Sequence, residues 1–192
     1  MTTTLNLPKV YTTEEYLNLE TTSDIHHEYC NGEMIPMTGG TPAHNQLMSA
    51  LNALLWFGLR GKPYSLFMAD QRLWIPDRQL YTYPDGMVIK NPVELQSGRK
   101  DTVTNPLLLA EVLSNSTKAY DRGEKFAAYR TLSSFQEYLL IDPSCLHLEQ
   151  YVKQGDHQWL FREYDQSDDQ ILLVSIGLEI RLGDLYEQIN EI

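Results

Sequence analysis

The stretch that decides the fold is Asn105-Pro106-Leu107-Leu108-Leu109-Ala110-Glu111-Val112-Leu113-Ser114. An apolar run of this length, begun by Asn-Pro and ended by polar residues, is typical of a strand buried on both faces of a sheet. Glu111 lies inside the run, near its C-terminal end. Because burying a carboxylate is costly unless a cation or hydrogen-bond donors compensate it, Glu111 indicates a functional site.

Two other charged residues lie in segments that the fold could bring to Glu111. The apolar segment 81–89 carries Asp85, and a helical pattern over about 118–132 carries Lys125 at the border of its buried face. If the two strands are neighbours, the two acids meet at one edge of the sheet. Magnesium takes one or two carboxylates with water and substrate phosphate, and a nearby lysine stabilises developing negative charge. These residue types therefore predict a site for a divalent metal and a phosphate.

Most of these residues also have a structural interpretation. Asp85-Gly86 is a common turn dipeptide, and Lys125 could be a solvated helix residue paired with Asp121 one turn back. Glu28 precedes an Asn-Gly turn and could be a cross-strand surface residue. A structural role explains Glu111 least, because its neighbours along the strand are apolar.

The histidines carry less information. His44 stands at a predicted helix start, where we interpret it as a cap or a packed residue and not as a ligand. The adjacent His26 and His27 lack the spacing of two histidines on one helical turn, so a zinc site is not expected there.

Length and composition suggest one domain. A chain of 192 residues without internal repeats or linker-like segments predicts a single domain over 1–192, with a loosely ordered tail over 1–10. No apolar run reaches membrane-spanning length, and the first residues lack the basic start and apolar core of a secretory signal. The two cysteines, Cys30 and Cys145, form no disulfide framework, so we expect a cytoplasmic protein.

The formal net charge of −11 argues against a non-specific nucleic-acid binder. Such proteins gain their affinity from lysine and arginine side chains that neutralise phosphates. A metal-dependent nuclease can still be acidic overall, since its carboxylates serve as ligands and a local basic rim is sufficient. The charge nevertheless counts against a nuclease.

Hydrophobic periodicity and turn signals predict an α/β (α+β) domain with a mixed central sheet flanked by helices. Four helices are expected, over about 13–20, 42–60 and 118–132 and from 183 onward. The predicted extended segments are an N-terminal hairpin over 26–37, strands over 64–75, 81–89, the Glu111 segment and 136–141, and a C-terminal meander over 146–153, 158–164, 170–175 and 178–181. Residues 90–104 are expected to form an exposed loop.

Several of these motifs together resemble the PD-(D/E)XK nuclease superfamily. The motifs are Pro84-Asp85, Glu111-Val112-Leu113 in a buried strand, and Asp121-Arg122-Gly123-Glu124-Lys125 followed by Tyr129. The segments 111–117 and 137–143, with the early Glu28-Tyr29 and Asn31-Gly32-Glu33, are similar to a bacterial restriction-endonuclease-like branch long described as a domain of unknown function. The resemblance covers about 12–145.

The resemblance implies a restriction-endonuclease-like core with Mg²⁺ (or Mn²⁺) at the sheet edge and DNA as substrate. Asp85 and Glu111 would bind the metal, and the backbone carbonyl of Val112 is a candidate for a third ligand. Glu28 would be an additional acid on the N-terminal element. The superfamily pattern expects a lysine two positions after Glu111, where this chain has Leu113. Lys125 would take over that role from the following helix. A homodimer is expected by analogy alone.

The sequence hypothesis is therefore a magnesium-dependent endonuclease in which Asp85, Glu111, Lys125 and Glu28 form the site. The alternative is a catalytically inactive nuclease-fold module that binds a protein partner or DNA, favoured by the net charge and by Leu113. A third hypothesis, a hydrolase of small phosphorylated molecules, stays open because no motif indicates recognition of a DNA base.

Overall fold

The structure is a computed structural model that describes residues 9–37 and 39–189. Most of the tail expected over 1–10 lies outside these residues. The helices are α1 Thr13–Glu20, α2 Pro42–Leu59, α3 Lys118–Tyr120, a π-helical turn Asp121–Lys125, α4 Phe126–Tyr129 and α5 Leu182–Tyr186, with a 3₁₀ turn Pro76–Arg78. The strands are β1 His27–Cys30, β2 Glu33–Pro36, β3 Tyr64–Met68, β4 Arg72–Ile75, β5 Leu80–Thr82, β6 Gly86–Lys90, β7 Thr102–Val103, β8 Leu108–Val112, β9 Glu137–Ile141, β10 Leu148–Gly155, β11 Gln158–Tyr164, β12 Gln170–Leu173 and β13 Leu178–Arg181.

The largest sheet has six strands in the order β11-β10-β9-β8-β6-β3. Strand β8, which carries Glu111, is central: it pairs parallel with β9 and antiparallel with β6. The other pairs of this sheet are antiparallel, so the sheet is mixed. The predicted mixed central sheet with flanking helices is thus present.

Both faces of β8 are buried, which explains its nearly continuous apolar sequence. Leu108, Ala110 and Val112 face a core formed with α2, the C-terminal hairpin and α5. Leu109 and Leu113 face a second core formed with α4 and the aromatic residues that follow it. Since side chains alternate along a strand, Glu111 points to the second face, toward the helical segment 118–129.

A second sheet has the order β2-β1-β5-β4-β7 and contains the N-terminal hairpin. The segments 64–75 and 81–89, each predicted as one strand, are both divided between the two sheets. The first divides at Ala69, whose φ is +21°, and the second at Pro84, which has no N–H for a ladder. The two breaks meet, since the Ala69 N–H donates to the Asp85 carbonyl at 3.1 Å. Asp85 therefore lies where the chain crosses from one sheet to the other.

Two other predictions are modified by the sheet topology. The four C-terminal strands exist, but β10 and β11 extend the six-stranded sheet while β12 and β13 form a separate hairpin. The predicted loop 90–104 contains the short strand β7, which pairs with β4.

The helix predicted over 118–132 is formed by α3, the π-helical turn and α4, ending at Tyr129. A π turn adds one residue and rotates the side chains that follow it, and such turns are frequent at functional sites. Here the turn contains both Asp121 and Lys125, and both are buried. No helix of the described residues has the length and apolarity to cross a membrane.

We predict that Leu51→Ala destabilises the protein by about 3 kcal/mol, as is usual for large-to-small changes in a well-packed core. Leu51 is fully buried in α2 against the sheet. The adjacent Asn52 is exposed, so Asn52→Ala is a matched control that should change stability by less than about 0.5 kcal/mol. Urea unfolding measures both, and equal effects of the two changes would contradict the packing described here.

Candidate functional site

Asp85 and Glu111 lie side by side, as the neighbouring-strand argument predicted. Gly86 pairs with Ala110 across β6 and β8, which brings Asp85 next to Glu111. The Asp85 N–H lies 3.4 Å from Glu111 Oε2, and the Val112 N–H donates to Asp85 Oδ2 at 2.8 Å. Because the N–H and C=O of one strand residue point to the same side, the Val112 carbonyl faces the Asp85 side too.

Lys125 reaches this pair from the π-helical turn. Its Nζ lies 3.0 Å from Glu111 Oε1, 3.4 Å from Glu28 Oε1 and 3.8 Å from Asp121 Oδ1. The Lys125 side chain is 7% exposed, so it is not the solvated helix lysine of the structural interpretation. The suggested contact between Lys125 and Asp121 is present, but as one part of a buried cluster.

Glu28 comes to the site from the other sheet. It lies in β1, is buried, and accepts a hydrogen bond from the Thr82 hydroxyl as well as the contact with Lys125. It is therefore not an exposed cross-strand residue. The structure thus brings together all four predicted side chains, Asp85, Glu111, Lys125 and Glu28, from two sheets and one helix.

Two side chains of the site had no role in the sequence prediction. The Tyr129 hydroxyl donates to Glu111 Oε1 at 2.6 Å, and His44 Nε2 lies 3.1 Å from Asp85 Oδ2. Tyr129 was part of a recognised motif, so its position one turn after Lys125 was an available signal. His44 lies 41 residues before Asp85 in another element, and only the fold connects them. Its interpretation as merely a cap or packed residue is incomplete.

The site has a closed interior and a more open edge. Glu111, Lys125 and Asp121 side chains are 5–7% exposed, whereas those of Asp85 and His44 are 18% and 19% exposed. A ligand from solvent therefore meets Asp85 and His44 first, and the Glu111–Lys125 pair lies behind them.

Carboxyl groups outnumber ammonium groups in the cluster. Glu28, Glu111 and Asp121 surround the ammonium of Lys125, and Asp85 lies beside Glu111. Burial, with the charges of Asp85 and Asp121, raises the pKa of Glu111 to about 8, against the lowering effects of Lys125 and the Tyr129 hydroxyl. Burial also raises the pKa of Asp121. An excess of buried acid next to one cation favours the binding of further positive charge.

The ammonium of Lys125 keeps its charge. Burial lowers the pKa of Lys125, but Glu111, Glu28 and Asp121 more than offset burial and hold this pKa well above its ordinary value. The hydrogen bond with Asp85 raises the pKa of His44. Lys125 is thus an ammonium at neutral pH and not a ready proton acceptor.

The donor set fits a magnesium-type ion that keeps most of its own water. Across residues 9–37 and 39–189, no three His, Cys, Asp or Glu side chains form a ready-made metal cage. Mg²⁺ does not need one, because it binds through one or two carboxylates plus water and phosphate. Lys125 and Tyr129 contact Glu111 Oε1, while Oε2 has only the long contact with the Asp85 N–H among the residues that the structure describes. Each neighbouring carboxylate thus has one oxygen held by the protein and one with capacity for a cation.

This fold is shared with a protein of known structure. A crystal structure from Anabaena variabilis ATCC 29413, described as "a putative nuclease belonging to DUF820", superposes with a TM-score of 0.75 and 18% identity over 93% of this chain and 99% of that chain. At this identity the similarity concerns the fold. The sequence profile of the Uma2 family, described as "Putative restriction endonuclease", matches residues 13–183. The chain belongs to this family, which confirms the resemblance that the sequence motifs indicated.

Two proteins of Synechocystis sp. are similar over most of their length. "Uncharacterized protein sll1609" is 43% identical over 155 residues, covering 81% of this chain and 88% of the relative. "Uncharacterized protein slr1290" is 37% identical over 175 residues, covering 90% of each. Both similarities extend beyond the segment 12–145 that carried the motifs.

We predict that the unfolding free energy of the metal-free protein falls as pH rises from about 5 to 8, and that Glu111→Gln removes part of this slope. The folded-state pKa of Glu111, about 8, exceeds the ordinary pKa of a glutamate, 4.5, so the folded state binds more protons in this interval. One group contributes at most about 1.4 kcal/mol per pH unit. Urea unfolding of both proteins at pH 5, 6, 7 and 8 with a chelator measures this. A constant difference between them would contradict the raised pKa.

Proposed function

We propose that this protein is a metal-dependent endonuclease that hydrolyses DNA phosphodiester bonds, with Mg²⁺ or Mn²⁺ as its cation. Membership of the family supports a nuclease. The observation that carries the finer proposal is the adjacent carboxylates of Asp85 and Glu111 with a buried ammonium behind them. This combination suits a reaction in which a cation and a phosphate meet.

In this proposal Asp85 and Glu111 hold the cation, and the Val112 carbonyl is available as a third ligand. When bound, the cation lowers the pKa of a coordinated water and stabilises charge on the phosphoryl oxygens. The protein's part is to keep the two carboxylates in place. The Val112 N–H and the Tyr129 hydroxyl do this by holding Asp85 Oδ2 and Glu111 Oε1 respectively.

Lys125 contributes fixed positive charge in this mechanism and does not remove the proton from water. Its raised pKa keeps the ammonium charged, so it stabilises negative charge that develops as water attacks phosphorus. Glu28 and Asp121 hold the ammonium beside Glu111 and maintain its charge. Glu28 thus has a supporting role, which fits the additional acid implied by the resemblance.

Although position 113 is not a lysine, the site still contains an ammonium group. Leu113 is buried in the second core with Tyr129 and Phe126, where a lysine would be costly. The ammonium comes instead from Lys125, one helix later. This arrangement supports an active nuclease over the inactive module that Leu113 alone favoured.

We predict that the purified protein nicks supercoiled plasmid DNA with Mn²⁺ or Mg²⁺, and that Asp85→Ala and Glu111→Ala lower the rate at least about 100-fold. Asp77, exposed in the 3₁₀ turn, provides the matched control, and Asp77→Ala should keep the wild-type rate. Gel electrophoresis of the plasmid over time measures the rates. Equal cleavage by the wild type and both site variants would exclude this site as the origin of the activity.

The competing proposal, an inactive module that binds a protein or DNA, makes a different prediction for metal binding. Calorimetry should detect Mn²⁺ binding below millimolar concentration in the wild type and not in Glu111→Ala if the site is a metal site. Mn²⁺ binding without cleavage of any DNA would favour the third reading, a hydrolase of small phosphorylated molecules. No Mn²⁺ binding would favour the inactive module.

A further inference from the structure

The first turn of α2 presents His44 to the site in a fixed position. Thr41 caps this helix, its hydroxyl accepting from the His44 N–H at 3.2 Å, and Pro42 begins it. The backbone of His44 is thus anchored by the cap, and its side chain reaches Asp85 across the gap between α2 and β6. Since an ionised carboxylate only accepts hydrogen bonds, the His44 Nε2–H donates to Asp85 Oδ2.

Asp85 Oδ2 therefore receives two donors from two different elements. The Val112 N–H comes from β8 at 2.8 Å and the His44 Nε2–H from α2 at 3.1 Å. Two donors on one oxygen restrict rotation of the carboxylate about its Cβ–Cγ bond. The other oxygen, Oδ1, makes no hydrogen bond to the part of the chain that the structure describes, so it stays available for a ligand.

The other ring nitrogen of His44, Nδ1, is in a different environment from Nε2. His44 Nδ1 is buried and has no hydrogen-bond partner among residues 9–37 and 39–189. A buried polar atom without a partner costs about 1–3 kcal/mol and calls for an explanation. The cost is understandable if the ring is kept there for the contact of its other nitrogen with Asp85.

Gly40 makes room for this ring orientation. A Cβ at Gly40 would lie 2.6 Å from His44 Nδ1 and 2.8 Å from His44 Cγ, closer than atoms can pack. Gly40 thus allows the imidazole to lie close to the chain just before the helix. An alanine at position 40 would push the ring while leaving both of its nitrogens present.

We propose that His44 is a positioning residue that holds Asp85 through Oδ2 and so leaves Oδ1 available to a divalent cation, with Gly40 providing the space for its ring. The proposal rests on the proposed metal site and adds a member that no sequence motif indicated. Hydrogen-bonding partners of metal ligands typically contribute 10–100-fold to metal affinity. His44 is therefore expected to act on cation binding through Asp85 and not by touching substrate.

We predict that His44→Ala weakens Mn²⁺ binding about 10–100-fold by calorimetry on the full chain. His44→Gln, whose amide places an N–H near the position of Nε2, should restore most of the affinity. Gly40→Ala should weaken binding although the histidine is retained. Asn52→Ala, an exposed change on the same helix, should bind as the wild type does.

A double-mutant cycle separates positioning from general stability. In an Asp85→Ala background, His44→Ala should cause no further loss of Mn²⁺ affinity, because the residue acts through Asp85. Circular dichroism checks that each variant is folded, and the Gln and Gly40 variants keep the test decisive if His44→Ala is not. If the wild type binds Mn²⁺ and a folded His44→Ala variant binds it with unchanged affinity, the role of His44 is overturned. If His44→Ala unfolds, unchanged affinity in Gly40→Ala overturns that role instead. No Mn²⁺ binding by the wild type would overturn the metal site itself.

Discussion

The burial of the Glu111 carboxyl against the Lys125 ammonium is the interaction on which the site depends. Glu111 stands in a central strand with both faces covered, where an unpaired carboxylate would be severely destabilising. The Lys125 Nζ at 3.0 Å and the Tyr129 hydroxyl at 2.6 Å make its presence there tolerable. Lys125 and Tyr129 lie on consecutive turns of one helical segment, so this segment must pack over β8 at the position of Glu111. The π-helical turn is the local irregularity that lets Lys125 face inward.

The second constraint is the crossing between the two sheets. The chain passes from one sheet to the other at Ala69 and again at Pro84, and a backbone hydrogen bond joins the two crossings. Asp85 is therefore outside the regular ladder, with its carboxylate free to receive donors from Val112 and His44. The same separation lets Glu28 approach Lys125 from the five-stranded sheet. The site lies where the two sheets separate, close to the start of α2 and to the π-helical turn.

The electrostatics of the site differ from those of the whole chain. A net charge of −11 predicts poor affinity for a polyanion, yet part of the acid of the chain lies in the buried carboxyl groups of Glu28, Glu111 and Asp121 around Lys125. These groups raise the pKa of Lys125 and, with burial, the pKa of Glu111. Carboxyl groups around the buried Lys125 ammonium are partly offset by it, so they repel a phosphate less than exposed charge does. Net charge was therefore a weaker argument against a nuclease than it first appeared in the sequence.

The sequence by itself determined the apolar central strand and predicted that Asp85, Glu111 and Lys125 meet if the strands beside it are neighbours. These follow from local patterns: an acid inside an apolar run, a strand before it and a helical period after it. It also indicated the family, through motifs that each lie within a few residues. Only the tertiary structure decided that the segments 64–75 and 81–89 each divide between two sheets. The first divides at Ala69-Asp70-Gln71, which has no glycine or proline to mark a turn, and Pro84 in the second marks a break without showing that the chain changes sheets there. It alone brought His44 to Asp85 across 41 residues, since that contact depends on how α2 packs against the sheet and leaves no periodic trace in the chain.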